Sequence, residues 1–178
     1  YNYINEHTIY RLLLFMISLV TGGFDPLHSG HITLFKAAKS ISDKLIVGVN
    51  SDQWLKRKKG KYFMPIQERS TIIRNLTMVD EVITFIDDDN TAKDAIKTVL
   101  KYGDDIVFCN GGDRQETNTP ELDSYKDDIN FAWGVGGHHK INSSSSILKT
   151  YNQYHKVERS WGYYRVLYEG DGFKVKEL

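Results

Sequence analysis

"MISLVTGGFDPLHSGH", Met16 to His31, is the stretch on which the fold turns. Ile17 to Val20 read as a buried strand. Two adjacent glycines, a proline and two histidines follow, and then Ile32, Leu34, Phe35, Ala38 and Ile41 recur near the 3.6-residue period of a helix spanning Gly30 to Ile41. A strand that passes through a small-residue turn directly into a helix is the first half of a parallel βα unit. Its turn belongs at the carboxyl edge of a sheet, where ligands of such sheets bind.

The same alternation continues downstream. Lys44 to Val49, KLIVGV, reads as a second buried strand, and Asp52 to Lys58 as a short helix capped by Ser51 or Asp52. Pro65 opens the next helix, whose inner face is Ile66, Ile72, Ile73 and Leu76. Glu81 to Ile86 is a third strand, Thr91 to Tyr102 a long helix closed by Gly103, Asp105 to Cys109 a fourth strand and Ile129 to Val135 a fifth. Strands with no polar face imply a parallel sheet covered by helices on both sides. The expected fold is a doubly wound, Rossmann-like α/β domain with a five-stranded parallel sheet.

Composition limits the function classes. Of 178 residues, 40% are hydrophobic, enough for one domain of ordinary size, and 23 basic residues balance 23 acidic ones. Nothing in the bulk charge calls for nucleic acid or an anionic membrane as partner, so any cationic site is local. A lone cysteine, Cys109, excludes an internal disulfide framework and a multi-cysteine zinc site, and it suits a reducing, cytoplasmic setting. The apolar run Leu12 to Val20 is too short to span a bilayer. Met16 is expected to be the natural start, with residues 1–15 an upstream extension.

Within that fold the opening turn acquires a chemistry. Gly22 and Gly23 let the backbone approach a ligand, and the helix beginning near Gly30 points free N–H groups and a positive dipole end at the same crevice. His28 and His31 can both donate to an anion there. Two other readings compete: a metal site, for which His138 and His139 are the only clustered further ligands, and a purely structural turn. A dinucleotide fingerprint is excluded, because GGFDPLHSG lacks the G-x-G-x-x-G spacing. Later segments add candidates. Gly111, Gly112 and Asp113 follow the fourth strand at the same edge, and the serines from Ser143 to Ser146 read as another helix N-terminus. The run Lys56-Arg57-Lys58-Lys59-Gly60-Lys61 is either a solvated loop or a local cationic site.

"GGFDPLHSGH" resembles the signature of the cytidylyltransferase-like nucleotidyltransferase superfamily, whose H-x-G-H motif is matched by His28, Ser29, Gly30 and His31. "KLIVGVNSD", "LKRKKGKYFMPIQER", "VDEVITF", "NGGD" and "INSSSSIL" fall in the family's order, so the likeness covers about Met16 to Tyr151. It implies an enzyme that transfers a nucleoside monophosphate from CTP or ATP, with magnesium, to a phosphorylated sugar or polyol and releases pyrophosphate. On that likeness His28, His31 and Lys59 are the catalytic residues. Gly22, Gly23, Phe24, Asp25, Gly30, Lys56, Gly111, Gly112, Asp113, Ser143, Ser144 and Ser145 form the nucleotide site. Arg69 contacts substrate, with a surface helix position as its alternative, and no residue is assigned to a metal. Some members place an arginine before the serine run, where this chain has His138 or Lys140. "LIVGVNSD", "KKG" and "GGD" look most like adenylyltransferases acting on heptose 1-phosphate, whereas glycerol-3-phosphate cytidylyltransferases share the two-histidine motif and "P-x-x-x-R".

Ser160 to Leu178 alternates apolar and polar residues around Glu169-Gly170-Asp171-Gly172 and reads as a β-hairpin. It resembles the opening strands of a mannose-6-phosphate isomerase-type cupin. The expected organisation is a nucleotidyltransferase domain at residues 16–155 and a hairpin at 156–178 that either begins a cupin, the favoured reading, or packs on the first domain. The alternative function is a catalytically weak nucleotide-binding domain attached to a sugar-phosphate cupin. The resembled family commonly dimerises. Aromatics crowd the tail here (Tyr151, Tyr154, Trp161, Tyr163, Tyr164, Tyr168), so a two-fold homodimer involving it is expected.

Overall fold

The inner strands of the central sheet are largely buried and apolar because helices cover both faces. The computed structural model describes residues 15–103, 105–112, 114–137, 142–154, 159–161, 164–169 and 172–177, with side chains up to residue 152. The chain divides into two compact units, Tyr1–Ile141 and Asn142–Leu178.

In the first unit, β1 (Ile17–Gly22), β2 (Lys44–Val49), β3 (Glu81–Thr84), β4 (Ile106–Cys109) and β5 (Asn130–Ala132) form one parallel sheet in the order β3-β2-β1-β4-β5. Helices α1 (Ser29–Ser40), α2 (Asp52–Lys59), α3 (Ile66–Arg74), α4 (Lys93–Val99) and the short α5 (Leu122–Tyr125) connect them. Side chains alternate along each strand, which sorts them into two cores. Ile17, Leu19, Ile46, Ile106 and Phe108 pack with Ala95, Ile96 and Val99 of α4 on one face. On the other face Val20, Leu45, Val47, Val49, Val107 and Cys109 pack with Phe35 and Ala38 of α1 and Ile73 of α3. The expected Rossmann-like fold is thereby present.

Several boundaries differ from the sequence reading, each for a local reason. The third strand stops at Thr84 because the Ile86 N–H donates to the Asp94 carboxylate at 2.8 Å instead of to a ladder. The long helix begins at Lys93, since the Asp89 carboxylate captures both the N–H and the hydroxyl of Thr91. It tightens into a 3₁₀ turn over Leu100–Tyr102. The fifth strand is shorter than expected: the Val135 N–H turns to the Asn110 carbonyl at 3.1 Å. A 3₁₀ turn at Glu116–Asn118 and α5 occupy the segment between β4 and β5, where sequence reading placed nothing.

The chain order reverses between β1 and β4. Their ladder runs only from Ile17–Ile106 to Leu19–Phe108, so the last three residues of β1 have no β4 partner and the sheet opens at its carboxyl edge. In the second unit α6 (Ser144–Tyr154) precedes β6 (Arg159–Trp161), β7 (Tyr164–Glu169) and β8 (Gly172–Glu177). These strands form a three-stranded antiparallel sheet, one strand more than the hairpin expected, because Arg159–Trp161 also pairs with β7. Among the described residues no helix is long and apolar enough to cross a membrane.

Candidate active site

The turn from β1 into α1 is built around His28 and His31. His28 is the N-cap residue in extended conformation, and its carbonyl accepts the first helical N–H groups, from His31 at 2.9 Å and Ile32 at 3.2 Å. The His31 side chain reaches back, and its Nδ1 accepts the His28 N–H at 3.3 Å. An imidazole that accepts at Nδ1 carries its proton on Nε2 when neutral, so this bond fixes the tautomer. The two rings stack, 3.7 Å between centroids and 23° between planes. Gly30 makes room for this, since a Cβ there would lie 3.2 Å from the His28 ring. Phe24, in the core, presents an edge to His31 with 5.0 Å between centroids. Burial first, then the charges of His28 and Lys59, pushes the His31 pKa down to about 3. His31 is therefore a neutral donor.

The basic run is resolved into distinct parts. Ser51 caps α2 by accepting the Trp54 N–H at 3.0 Å, and Gly60 ends the helix in the left-handed region. Lys59, in the last turn, donates from Nζ to the Asp25 carbonyl at 3.2 Å. Its pKa lies below the ordinary lysine value, mainly through burial of the ammonium, with Asp25 opposing and the Arg69 charge adding to the effect. The Asp25 carboxylate accepts the N–H groups of Phe63 and Met64, both at 2.7 Å, which ties the loop after α2 to the turn after β1. Lys56 lies 5.5 Å over the Tyr62 ring and is exposed.

Arg69, expected at the substrate or on the surface, is 1% exposed. Its guanidinium donates to the carbonyls of Gly23 at 2.7 Å, Asn50 at 2.9 Å and Met64 at 2.9 Å, and to the Asp52 carboxylate. Those four bonds join the ends of β1 and β2 to α2 and the loop that follows it. The surface alternative is overturned, because α3 turns this residue beneath the site's main chain.

The glycines also sort by their surroundings. A Cβ on Gly22 would meet the Phe24 ring at 2.9 Å and one on Gly23 the Leu55 side chain at 2.8 Å, so packing requires both. At Gly111 it would meet Leu34 of α1 and the Val135 carbonyl at 3.1 Å, which brings the end of β4 against the helix that carries the histidines. Gly112 has a φ of +66° with open space beside it. Asp113, His138, His139 and Lys140 lie outside the described residues. Ser143, Ser144 and Ser145 belong to the second unit, where the Ser143 hydroxyl accepts the Ser146 N–H at 3.1 Å as a cap.

Three contributors escaped the sequence reading. Asp87, 2% exposed, accepts from Asn50 Nδ2 at 3.0 Å and from both the N–H and the hydroxyl of Ser51 at 2.7 Å. Glu121, also buried, accepts the Ala92 N–H at 2.6 Å and so tethers α4 to the segment after β4. Gly136, with a φ of +81°, lets the chain run close against α1, where an added Cβ would lie 2.9 Å from the Leu34 Cα. Glycine pairs in that segment were the only sequence signal. Among the described residues no three His, Cys, Asp or Glu side chains converge to hold a metal.

The chain matches, over residues 19–150, the family described as cytidylyltransferase-like. It is 32% identical over 145 residues to the bifunctional protein HldE of Proteus mirabilis, covering 80% of this chain and 28% of that protein. It thus spans little more than a quarter of the length of these two relatives, 28% for that protein and 26% for the HldE of Photorhabdus laumondii. Among solved structures, a lipopolysaccharide core biosynthesis protein from Thermoplasma volcanium is 26% identical with a TM-score of 0.51, covering 66% of this chain and 94% of that one. A bifunctional NMN adenylyltransferase/ADP ribose pyrophosphatase from Francisella tularensis shares the fold at a TM-score of 0.58 and 18% identity, covering 79% of this chain and 43% of that one. With a family match across most of its length that takes in the stacked histidines at the start of α1, the chain belongs to the cytidylyltransferase-like family of nucleotidyltransferases.

Proposed function

We propose that this domain transfers a nucleoside monophosphate from ATP or CTP to a phosphorylated sugar or polyol. An oxygen of the acceptor's phosphate attacks the α-phosphorus, the bond from that phosphorus to the bridging oxygen breaks, and pyrophosphate leaves. No protein nucleophile is required, so catalysis rests on positioning and on stabilising charge. The observation that carries the reading is the stacked His28–His31 pair at the start of α1, with His31 Nδ1 already accepting and Nε2 left as the protonated nitrogen. His28 and His31 would donate to phosphoryl oxygens as charge builds, and Lys59, a few bonds away across Asp25, would neutralise the triphosphate.

Gly22, Gly23, Gly30, Gly111 and Gly112 shape the walls of this nucleotide site. Phe24 and Asp25 support it from below, and Arg69 acts on it as a positioning residue through the Gly23 and Asn50 carbonyls. Lys56 and Asp113 are proposed as further nucleotide contacts, and Ser143, Ser144 and Ser145, at the helix start of the second unit, as phosphate-binding residues in their own right. Magnesium, when bound, would neutralise charge on the triphosphate oxygens and would be held mainly by the triphosphate itself, since the Asp25 and Asp87 carboxylates already accept from protein donors.

A sugar phosphate is favoured as acceptor by the likeness of "KKG" and "GGD" to heptose 1-phosphate adenylyltransferases and by the similarity to a lipopolysaccharide core biosynthesis protein. The reading includes a cytoplasmic setting, suited to the buried lone thiol of Cys109, and assembly as a two-fold homodimer, suited to the exposed Tyr151 and the aromatic tail. Pyrophosphate release is to be assayed with ATP, CTP, GTP and UTP against a panel of sugar and polyol phosphates. Turnover with ATP or CTP and one acceptor class supports the reading; nucleotide binding without release under any pairing overturns it.

A further inference from the structure

Arg57 stands in the middle of the basic run, yet its side chain leaves the lysines and turns to the exit of β3. One guanidinium nitrogen, Nη2, donates to the Asp87 carbonyl at 2.6 Å and lies 3.5 Å from the Asp87 carboxylate, and Nε donates to Asn90 Oδ1 at 3.2 Å. Nη1 lies 3.7 Å from the Asp88 carboxylate, which is solvent-exposed. Asp87 is buried, and the same carboxylate receives three bonds from Asn50 and Ser51, the residues that lead into α2 and cap it. One residue, Asp87, therefore grips α2 at its first turn through its carboxylate on Ser51 and at its last turn through its carbonyl on Arg57, with the carboxylate 3.5 Å away. Lys59 is two residues beyond Arg57, so the two side chains leave the helix on different sides, Arg57 toward Asp87 and Lys59 toward Asp25.

Resting on the reading of Lys59 as the lysine of the triphosphate, we infer that Arg57, through its fork on Asp87 and Asn90, is the positioning residue that sets the reach of Lys59. A helix of eight residues that ends in an exposed glycine frays readily at its last turn. The fork holds that turn in place. Lysine cannot reproduce it, because a single ammonium lacks the planar pair of donors. Arg57→Ala and Arg57→Lys accordingly behave alike, whereas a residue acting by charge alone would be replaced well by lysine.

The test uses the whole chain with its surface-accessible Arg57 changed, and reads binding of ATP and CTP by calorimetry. Arg57→Ala and Arg57→Lys are both expected to weaken the better-bound nucleotide about fivefold to tenfold. Lys59→Ala should weaken it about tenfold, and Arg57→Ala added to Lys59→Ala should cost less than a further twofold. Wild-type affinity in Arg57→Lys, or additive losses in the double variant, would overturn the assignment. A second readout needs no nucleotide. The Gly60 N–H, bonded to the Lys56 carbonyl at 2.9 Å, should exchange with solvent at least about tenfold faster in both Arg57 variants. Unchanged exchange overturns the clamp, whereas faster exchange in a protein that binds neither nucleotide supports the clamp and defeats the functional reading instead.

Discussion

His31 shows how one hydrogen bond fixes a tautomer. Its Nδ1 is engaged by the His28 N–H and its ring lies between His28 and Phe24, so protonation would bury a charge against like charges. With a folded pKa of about 3 against an ordinary 6.5, the unfolded chain binds a proton across that interval that the folded chain refuses. Stability from this site is complete above about pH 6.5 and falls as pH drops toward 3, by at most about 1.4 kcal/mol per pH unit. Urea midpoints between pH 4 and 7 should show that loss in the wild type and a flatter curve in His31→Gln. The His31 ring signals should stay constant by NMR from pH 5 to 8. Catalytically, His28→Ala and His31→Ala should each lower the rate about 10²-fold or more while triphosphate affinity changes much less, since donors aimed at developing charge act mainly in the transition state. Arg69 calls for a different outcome. Arg69→Ala removes a buried guanidinium and strands one buried carbonyl, two half-buried ones and the Asp52 carboxylate, so thermal or urea unfolding should show a loss of about 3 kcal/mol or more, with Arg69→Lys recovering only part.

Between elements, glycines with similar dihedral angles carry unlike constraints. Gly60 and Gly136 have φ of +82° and +81°, but a Cβ on Gly60 meets nothing within 4 Å whereas one on Gly136 strikes the Leu34 backbone at 2.9 Å. Gly60→Ala should therefore cost only the left-handed backbone penalty, about 1 kcal/mol. Gly136→Ala should cost about 2 kcal/mol or more, because α1 cannot yield, and should also shift the turn that carries His28 and His31. Denaturant titration of the two variants side by side measures the contrast. The boundary differences have the same origin. Ile86 and Val135 have the residue type of the strands assigned to them and Thr91 is the start of a periodic apolar run, but in each case a side-chain carboxylate or a carbonyl outside the element takes the N–H.

For the whole molecule, the expected homodimer is checked by light scattering at tens of micromolar, where twice the 20.5 kDa chain mass should be found. A monomer at that concentration defeats the dimer. Deleting residues 160–178 should weaken the association, because a crowded set of aromatics favours burial against a second copy. The division of the chain at Ile141 and Asn142 also makes the serine run part of the second unit. Its proposed role in phosphate binding is tested by Ser144→Ala, expected to weaken triphosphate binding severalfold.

The β1–α1 turn, the sheet and its two-sided cover were readable from the sequence because they depend on local periodicity: apolar runs of strand length, 3.6-residue spacing, and glycines at the junction. The two histidines were readable for the same reason, being three residues apart on one turn. Asp87 and Arg57 are 30 residues apart, Asp25 and Met64 39, Ala92 and Glu121 29, and nothing in the neighbourhood of either partner announces the other. A buried carboxylate takes its partners from whichever main-chain donors the topology brings to it. That is why the run from Lys56 to Lys61 reads as a single stretch of charge in the sequence, and why folding divides it into a lysine turned to Asp25 and an arginine turned to Asp87.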